Sequence, residues 1–151
     1  MIDAAGNYYT TAKSENILQK YNASGNLAWA QKYPRKQTVT GVSVDNAGNI
    51  YAIGNLNGTI LNVAGTSIPR NVPTTLYLMK LNAAGDGQWG YFLNLPLTQP
   101  DKIAFDSNNF SQLFAELPGN LFVTGYFAKR DYANTTKLGY DFFSIRYKIC
   151  Q

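Results

Sequence analysis

The 151-residue sequence contains no histidine, which excludes a Ser-His-Asp or Cys-His nucleophile pair and any zinc site built on imidazole. Cysteine occurs once, at Cys150, so the chain can form neither an intrachain disulfide nor a thiolate-only metal site. Charge is scarce: Asp, Glu, Lys and Arg make up 15% of the chain, against about 25% in average proteins. Of the nine acids, only Glu15 and Glu116 are glutamates. This balance excludes a coiled coil, an acidic disordered tail and a highly charged nucleic-acid arm. The net charge of +4 permits weak attraction to anionic surfaces. Nucleic-acid binding would need a concentrated basic stripe and a reading motif, however, and the adjacent basic pairs are only Arg35-Lys36 and Lys129-Arg130. No window approaches the ~18 unbroken apolar residues of a membrane span. The N-terminal residues lack the charged start and apolar core of a signal peptide. Met1 to Asn7 read as the end of a strand entering a turn, so the chain is expected to begin inside a structural unit, without a leader.

What is present is apolar and aromatic, at 45% and 14% of the residues, and the length suffices for one domain with a real core. Tyr, Val, Ile, Thr and Phe cluster in short runs of period two, separated by Gly-Asn, Asn-Gly and Ala-Gly turns. Strands are expected at 7–12, 16–21, 27–32, 38–44, 49–55, 75–81, 88–94, 101–105, 120–126 and 141–148. No stretch has helical periodicity. The fold class is therefore all-β.

Self-comparison is the most informative step. Ile2-Asp3-Ala4-Ala5-Gly6-Asn7-Tyr8-Tyr9 aligns with Val44-Asp45-Asn46-Ala47-Gly48-Asn49-Ile50-Tyr51, and a looser copy opens at Phe105-Asp106 and resumes at Gly119-Asn120-Leu121-Phe122. A second motif alternates with the first. Leu18-Gln19-Lys20-Tyr21-Asn22-Ala23-Ser24-Gly25-Asn26 leads to Trp29, and Leu78-Met79-Lys80-Leu81-Asn82-Ala83-Ala84-Gly85-Asp86 leads to Trp89. Ser144-Ile145-Arg146-Tyr147-Lys148 is its third copy. Each unit is read as four strands, with repeats at about 1–38, 39–98 and 99–151. Gly6, Gly25, Gly48 and Gly85 supply the positive φ of the turns, and Asp or Asn bonds the turn backbone. Residues 58–74 and 111–118 read as insertions, the first as a long loop that presents contacts.

The alternation of these two motifs resembles the bacterial β-propeller repeat often called SBBP, and less closely PQQ-type and NHL-type propeller blades. The resemblance implies about three four-stranded antiparallel blades in a single module of a secreted or cell-surface bacterial protein, and it implies no single activity. Closed propellers have about four to eight blades. A chain with about three is expected to pair with neighbouring repeats or with further copies of itself, since repeat units cannot bury their faces alone.

Lys20, Lys80 and Arg146 fall at one repeated position and could face an anionic ligand; the reading favoured here pairs each with the turn aspartate of its unit, Asp3, Asp45 or Asp106. Those aspartates are expected to cap turns, because calcium wants six to eight oxygens and each turn offers one carboxylate. Trp29 and Trp89 are read as packing anchors, with sugar stacking as the alternative. Tyr8, Tyr9, Tyr91, Phe92 and Tyr132 are candidate recognition residues. No cofactor or metal is implied. The expected function is a non-catalytic extracellular module acting in assembly or in protein or carbohydrate binding. The alternative is the substrate-recognition part of a polysaccharide lyase or hydrolase, whose paired acids could come from Asp101 with Asp106 or Asp131 with Asp141. A two-sheet β-sandwich with accidental repeats is the third possibility.

Overall fold

The computed structural model describes residues 1–12, 14–71 and 76–93, together with the backbone of strands at 112–116, 120–130 and 138–148. In chain order the strands are β1 (Tyr8–Ala12), β2 (Ile17–Tyr21), β3 (Leu27–Lys32), β4 (Gln37–Val44), β5 (Ile50–Leu56), β6 (Ile60–Val63), β7 (Thr66–Pro69), β8 (Leu76–Leu81), β9 (Gly87–Phe92), β10 (Gln112–Glu116), β11 (Asn120–Arg130) and β12 (Leu138–Lys148). Among the described residues all regular structure is β, and all of it is antiparallel. The first sheet runs β1-β2-β3, the second β4-β5-β8-β9 and the third β10-β11-β12, while β6 and β7 form a separate hairpin. The four-stranded unit is complete in the second sheet; the first and third show three strands each among the described residues.

The turns explain why these runs pair as they do. Asp3 Oδ1 accepts the backbone N–H groups of Ala5 and Asn7 at 3.0 and 2.9 Å. Asp45 Oδ1 accepts those of Ala47 and Asn49 at 3.0 and 2.8 Å. Asn22 and Asn82 do the same for Ser24 and Asn26 and for Ala84 and Asp86. Each turn closes on a glycine at positive φ: Gly6 at 80°, Gly25 at 84°, Gly48 at 80° and Gly85 at 92°. A Cβ is disfavoured in that region. The register then slips at the same place in both units, between Lys20 and Tyr21 and between Lys80 and Leu81.

The first and second sheets pack face to face. Tyr9, Leu18 and Tyr33 from the first unit share one buried cluster with Ile50, Ala52, Tyr77, Met79 and Leu81 of the second sheet. The opposite face of the second sheet is covered as well, since Ile53 and Leu78 are also fully buried. This double burial accounts for the apolar run Leu76–Met79 of β8. β1 and β10 both run beside β4, the edge strand of the second sheet.

Two sequence expectations are corrected. The segment expected to be a long contact loop is the β6–β7 hairpin, closed by a two-residue turn at Ala64 (φ 44°) and Gly65 (φ 99°), the conformation that the right-handed twist of a hairpin prefers. Leu61 and Val63 bury it against the second sheet. A Cβ at Gly90 would lie 2.7 Å from Val63 Cγ2, so β9 has room for the hairpin only because glycine stands there. The side chain of Gln37, fully buried, clamps the hairpin like a short strand: Nε2 donates to Asn62 O at 2.7 Å, and Oε1 accepts from Asn62 N at 2.8 Å. The second correction is at 111–118, where β10 lies instead of an insertion. The strand expected at 101–105 falls outside the described residues.

Candidate interaction site

The repeat places the same residues in one row across each sheet. In the first sheet Tyr9 pairs with Lys20, and Lys20 with Trp29. In the second, Tyr51 pairs with Lys80, and Lys80 with Trp89. The Tyr9 hydroxyl donates to Asp3 Oδ2 at 3.0 Å, and the Tyr51 hydroxyl to Asp45 Oδ2 at 3.1 Å. The ammonium groups lie over the same rings, Lys20 Nζ 5.5 Å from the Tyr9 centroid and Lys80 Nζ 5.7 Å from that of Tyr51. The indoles meet those rings at an angle, with centroids 6.4 Å apart for Trp29 and 6.2 Å for Trp89. Each turn aspartate thus meets its cation through a shared tyrosine rather than by the direct ion pair expected. Asp3, Asp45, Gly6, Gly25, Gly48 and Gly85 all lie in turns.

These contacts set the local electrostatics. Burial works to raise the Asp3 carboxyl, but hydrogen bonds from the Asn7 side chain and backbone, Tyr9 and Ala5 outweigh it and hold the group below its ordinary value. Burial, with Asp45 beside it, pushes the Tyr51 hydroxyl up to about 12. Burial and Asp3 raise Tyr9 in the same direction. Both tyrosines therefore stay protonated donors.

In the first sheet the row does a second job. Lys20 Nζ and Trp29 Nε1 both donate to the carbonyl of Ala83, at 3.1 and 3.3 Å, and Gln31 Nε2 donates to that of Gly85 at 3.3 Å. These acceptors belong to the turn at 82–86 of the second unit. The indole of Trp29 lies flat against Gly85, where a Cβ would come within 3.2 Å of Cδ2 and Cε2. The second unit's turn is thus seated in the first unit's Lys–Trp–Gln edge. Trp89, the counterpart of Trp29, stacks on Tyr91 at 4.8 Å with an angle of 8° between the rings.

Of the other predicted residues, Arg146 pairs in register with Phe122, the backbone position that Lys20 and Lys80 hold against Tyr9 and Tyr51. Asp101, Asp106, Asp131, Tyr132 and Cys150 lie outside the described residues. Among the described residues no group of three His, Cys, Asp or Glu side chains could hold a metal ion. No helix there is long and apolar enough to cross a membrane. Sequence reasoning missed Gln31 and the seat at Gly85; the recurrence of Gly-x-x-x-Trp in both units was the available signal. The chain matches no protein-family model and no curated protein.

Proposed function

We propose that the chain is a non-catalytic β-repeat module of propeller type, related to the SBBP-like repeats, that acts outside the bacterial cell in structural assembly. The joint between the first two sheets carries this reading. A turn of the Asn-x-x-Gly type, presented by one unit, is seated by the Lys, Trp and Gln edge of its neighbour, and the same row and the same turn recur in both units. Such a joint can be propagated from sheet to sheet.

The turn aspartates of the first two units support a non-catalytic role. Asp3 and Asp45 each accept four hydrogen bonds within their turns, and Asp86 accepts one from Asn82 at 2.9 Å. A carboxylate held in this way is poorly placed to serve as an acid or base. Sedimentation velocity over about 1–200 µM, the range of weak to moderate protein interfaces, tests the reading. Concentration-dependent self-association is expected. A chain that stays monomeric throughout overturns it.

A further inference from the structure

Two dipeptides of the chain are of the kind that cyclises through a succinimide, Asn57-Gly58 and Asp86-Gly87, and the sequence holds each kind once. In that reaction the backbone nitrogen of the second residue attacks the side-chain carbonyl carbon of the first. A glycine in second place speeds it, because no Cβ hinders the approach of the backbone. The fold treats the two pairs differently.

Asp86-Gly87 is held. Asp86 N donates to Asn82 Oδ1, its carbonyl accepts from Asn82 N and its Oδ2 accepts from Asn82 Nδ2, each at 2.9 Å. Gly87 opens β9 in register with Leu81, and a Cβ there would collide with the carbonyl of Val63. Backbone and carboxylate fixed in this way have no freedom to close a ring on each other. Asn57-Gly58 is free by the same measures. It lies in the bend between β5 and β6, with Asn57 exposed and Gly58 half-buried. Among the described residues neither the Asn57 carboxamide nor the Gly58 N–H has a hydrogen-bond partner. The bend is tied on either side of them, by Asn57 N to Lys36 O and by Arg70 N to Thr59 O, both at 2.8 Å. The turn asparagines each lack an ingredient. Asn22 and Asn82 hold two backbone N–H groups apiece on Oδ1. Asn46 precedes Ala47, whose N–H is taken by Asp45 Oδ1 at 3.0 Å.

We infer that Asn57 is a self-modification site of the folded chain, at which Gly58 drives deamidation. Gly58 N gives its proton to solvent base and bonds to Asn57 Cγ; the Cγ–Nδ2 bond breaks and the nitrogen leaves as ammonia. Water then opens the succinimide at either carbonyl, which leaves aspartate or isoaspartate at position 57. No oxidant, reductant or cofactor enters. Either product lowers the net charge of +4 by one. It does so next to Lys36, whose Cβ lies 3.6 Å from the place a Gly58 Cβ would take. Isoaspartate also lengthens the backbone by a methylene where Asn57 N is bonded to Lys36 O, the residue before the Gln37 clamp. It is therefore expected to loosen the β6–β7 hairpin. The inference is independent of the assembly reading.

Peptide mapping by mass spectrometry tests it, on the intact chain aged in mildly alkaline buffer, folded and in urea, with isoaspartate read by electron-transfer fragmentation. In the folded chain position 57 is expected to convert about tenfold or more faster than Asn22, Asn46 or Asn82, and Asp86 to isomerise in urea alone. A Cβ at Gly58 would meet Leu56 Cδ1 at 3.5 Å and Lys36 Cβ at 3.6 Å, ordinary contacts, and its φ lies outside the left-handed region. Gly58→Ala thus keeps the fold, to be checked by circular dichroism, and is expected to slow conversion by about tenfold. Amide exchange in β6 and β7 should be faster in the isoaspartate fraction than in unmodified chain. An Asn57 that survives in the folded chain and converts in urea overturns the inference, and so does a rate that Gly58→Ala leaves unchanged. Asp86 isomerising equally fast folded and in urea overturns the contrast from which it is drawn, and unchanged exchange in the isoaspartate fraction overturns the link to the hairpin.

Discussion

Gly85 and Gly25 offer a controlled comparison of one substitution in two copies of the same turn. Both close an Asn-x-x-Gly turn, at φ 92° and 84°. An alanine at either site carries the left-handed penalty of about 1–2 kcal/mol. Only at Gly85 does the added Cβ meet Trp29, at 3.2 Å from two indole carbons, and such overpacking adds about 1–3 kcal/mol. Gly25→Ala is thus expected to cost about 1–2 kcal/mol and Gly85→Ala about 2–5, with each kcal/mol lowering the midpoint by about 2–4 °C at this chain length. Trp29→Ala removes a half-buried ring and the hydrogen bond to Ala83, a loss of about 2–3 kcal/mol. In that background the extra cost at Gly85 is expected to vanish, leaving equal penalties at the two turns. Urea unfolding followed by far-UV circular dichroism at about 1 µM, the dilute end of the association range considered above, gives the full double-mutant cycle. Equal costs for Gly25→Ala and Gly85→Ala in the wild-type chain refute the joint.

Replacing Asp45 with Ala removes four hydrogen bonds from one turn and should cost about 1–3 kcal/mol in chemical denaturation; a loss below a few tenths of a kcal/mol contradicts the turn's role. Gln37→Leu leaves the backbone of Asn62 without its buried partners, an expected loss of about 2–4 kcal/mol with faster amide exchange in β6 and β7. Unchanged exchange there counts against the clamp. Tyr9, Tyr33, Tyr51, Tyr77 and Tyr91 all have raised hydroxyl pKa values, led by burial. Their contribution to stability is complete below the ordinary value of 10.0 and is lost as pH climbs through the folded values, that of Tyr51 being about 12. Tyrosinate absorbance should therefore lag at pH 10–11 and then rise together with loss of the β spectrum. Asp3 has the opposite sign: its contribution is present above 3.8 and is lost as pH falls through its lowered folded value.

Much of this architecture was legible in the chain. The Asp-x-x-Gly-Asn and Asn-x-x-Gly turns were readable because a positive φ and a side-chain acceptor leave few residue choices. Alternation then located β1 to β5, β8, β9, β11 and β12 to within a few residues. The β6–β7 hairpin was hidden by its length of four residues per strand and by Pro69, although Ala64-Gly65 between alternating apolar residues was a usable turn signal. β10 was hidden by its polar ends, Gln112 and Glu116, and by the turn-forming Pro118-Gly119 close after it. The partners of Lys20 were not readable either. Ala83 lies 63 residues away, and a backbone carbonyl leaves no trace in residue identity. Tyr9 and Tyr51 were visible as repeated letters, but their role between aspartate and lysine needed three-dimensional register. The polar turn taken by Tyr8, Thr10, Gln19 and Tyr21, against apolar Ile50, Ala52, Met79 and Leu81, shows only when burial is compared copy by copy.

The most direct measurement is the proton spectrum of Gly85 in the folded chain. An indole stacked on that glycine predicts Gly85 Hα resonances shifted strongly upfield by the ring current, with nuclear Overhauser contacts to Trp29, and an ordinary shift for Gly25 in the dilute monomer. Matching, unshifted Hα resonances for both glycines, with no contact between Gly85 and the indole, would contradict the claim that one unit seats the turn of the next.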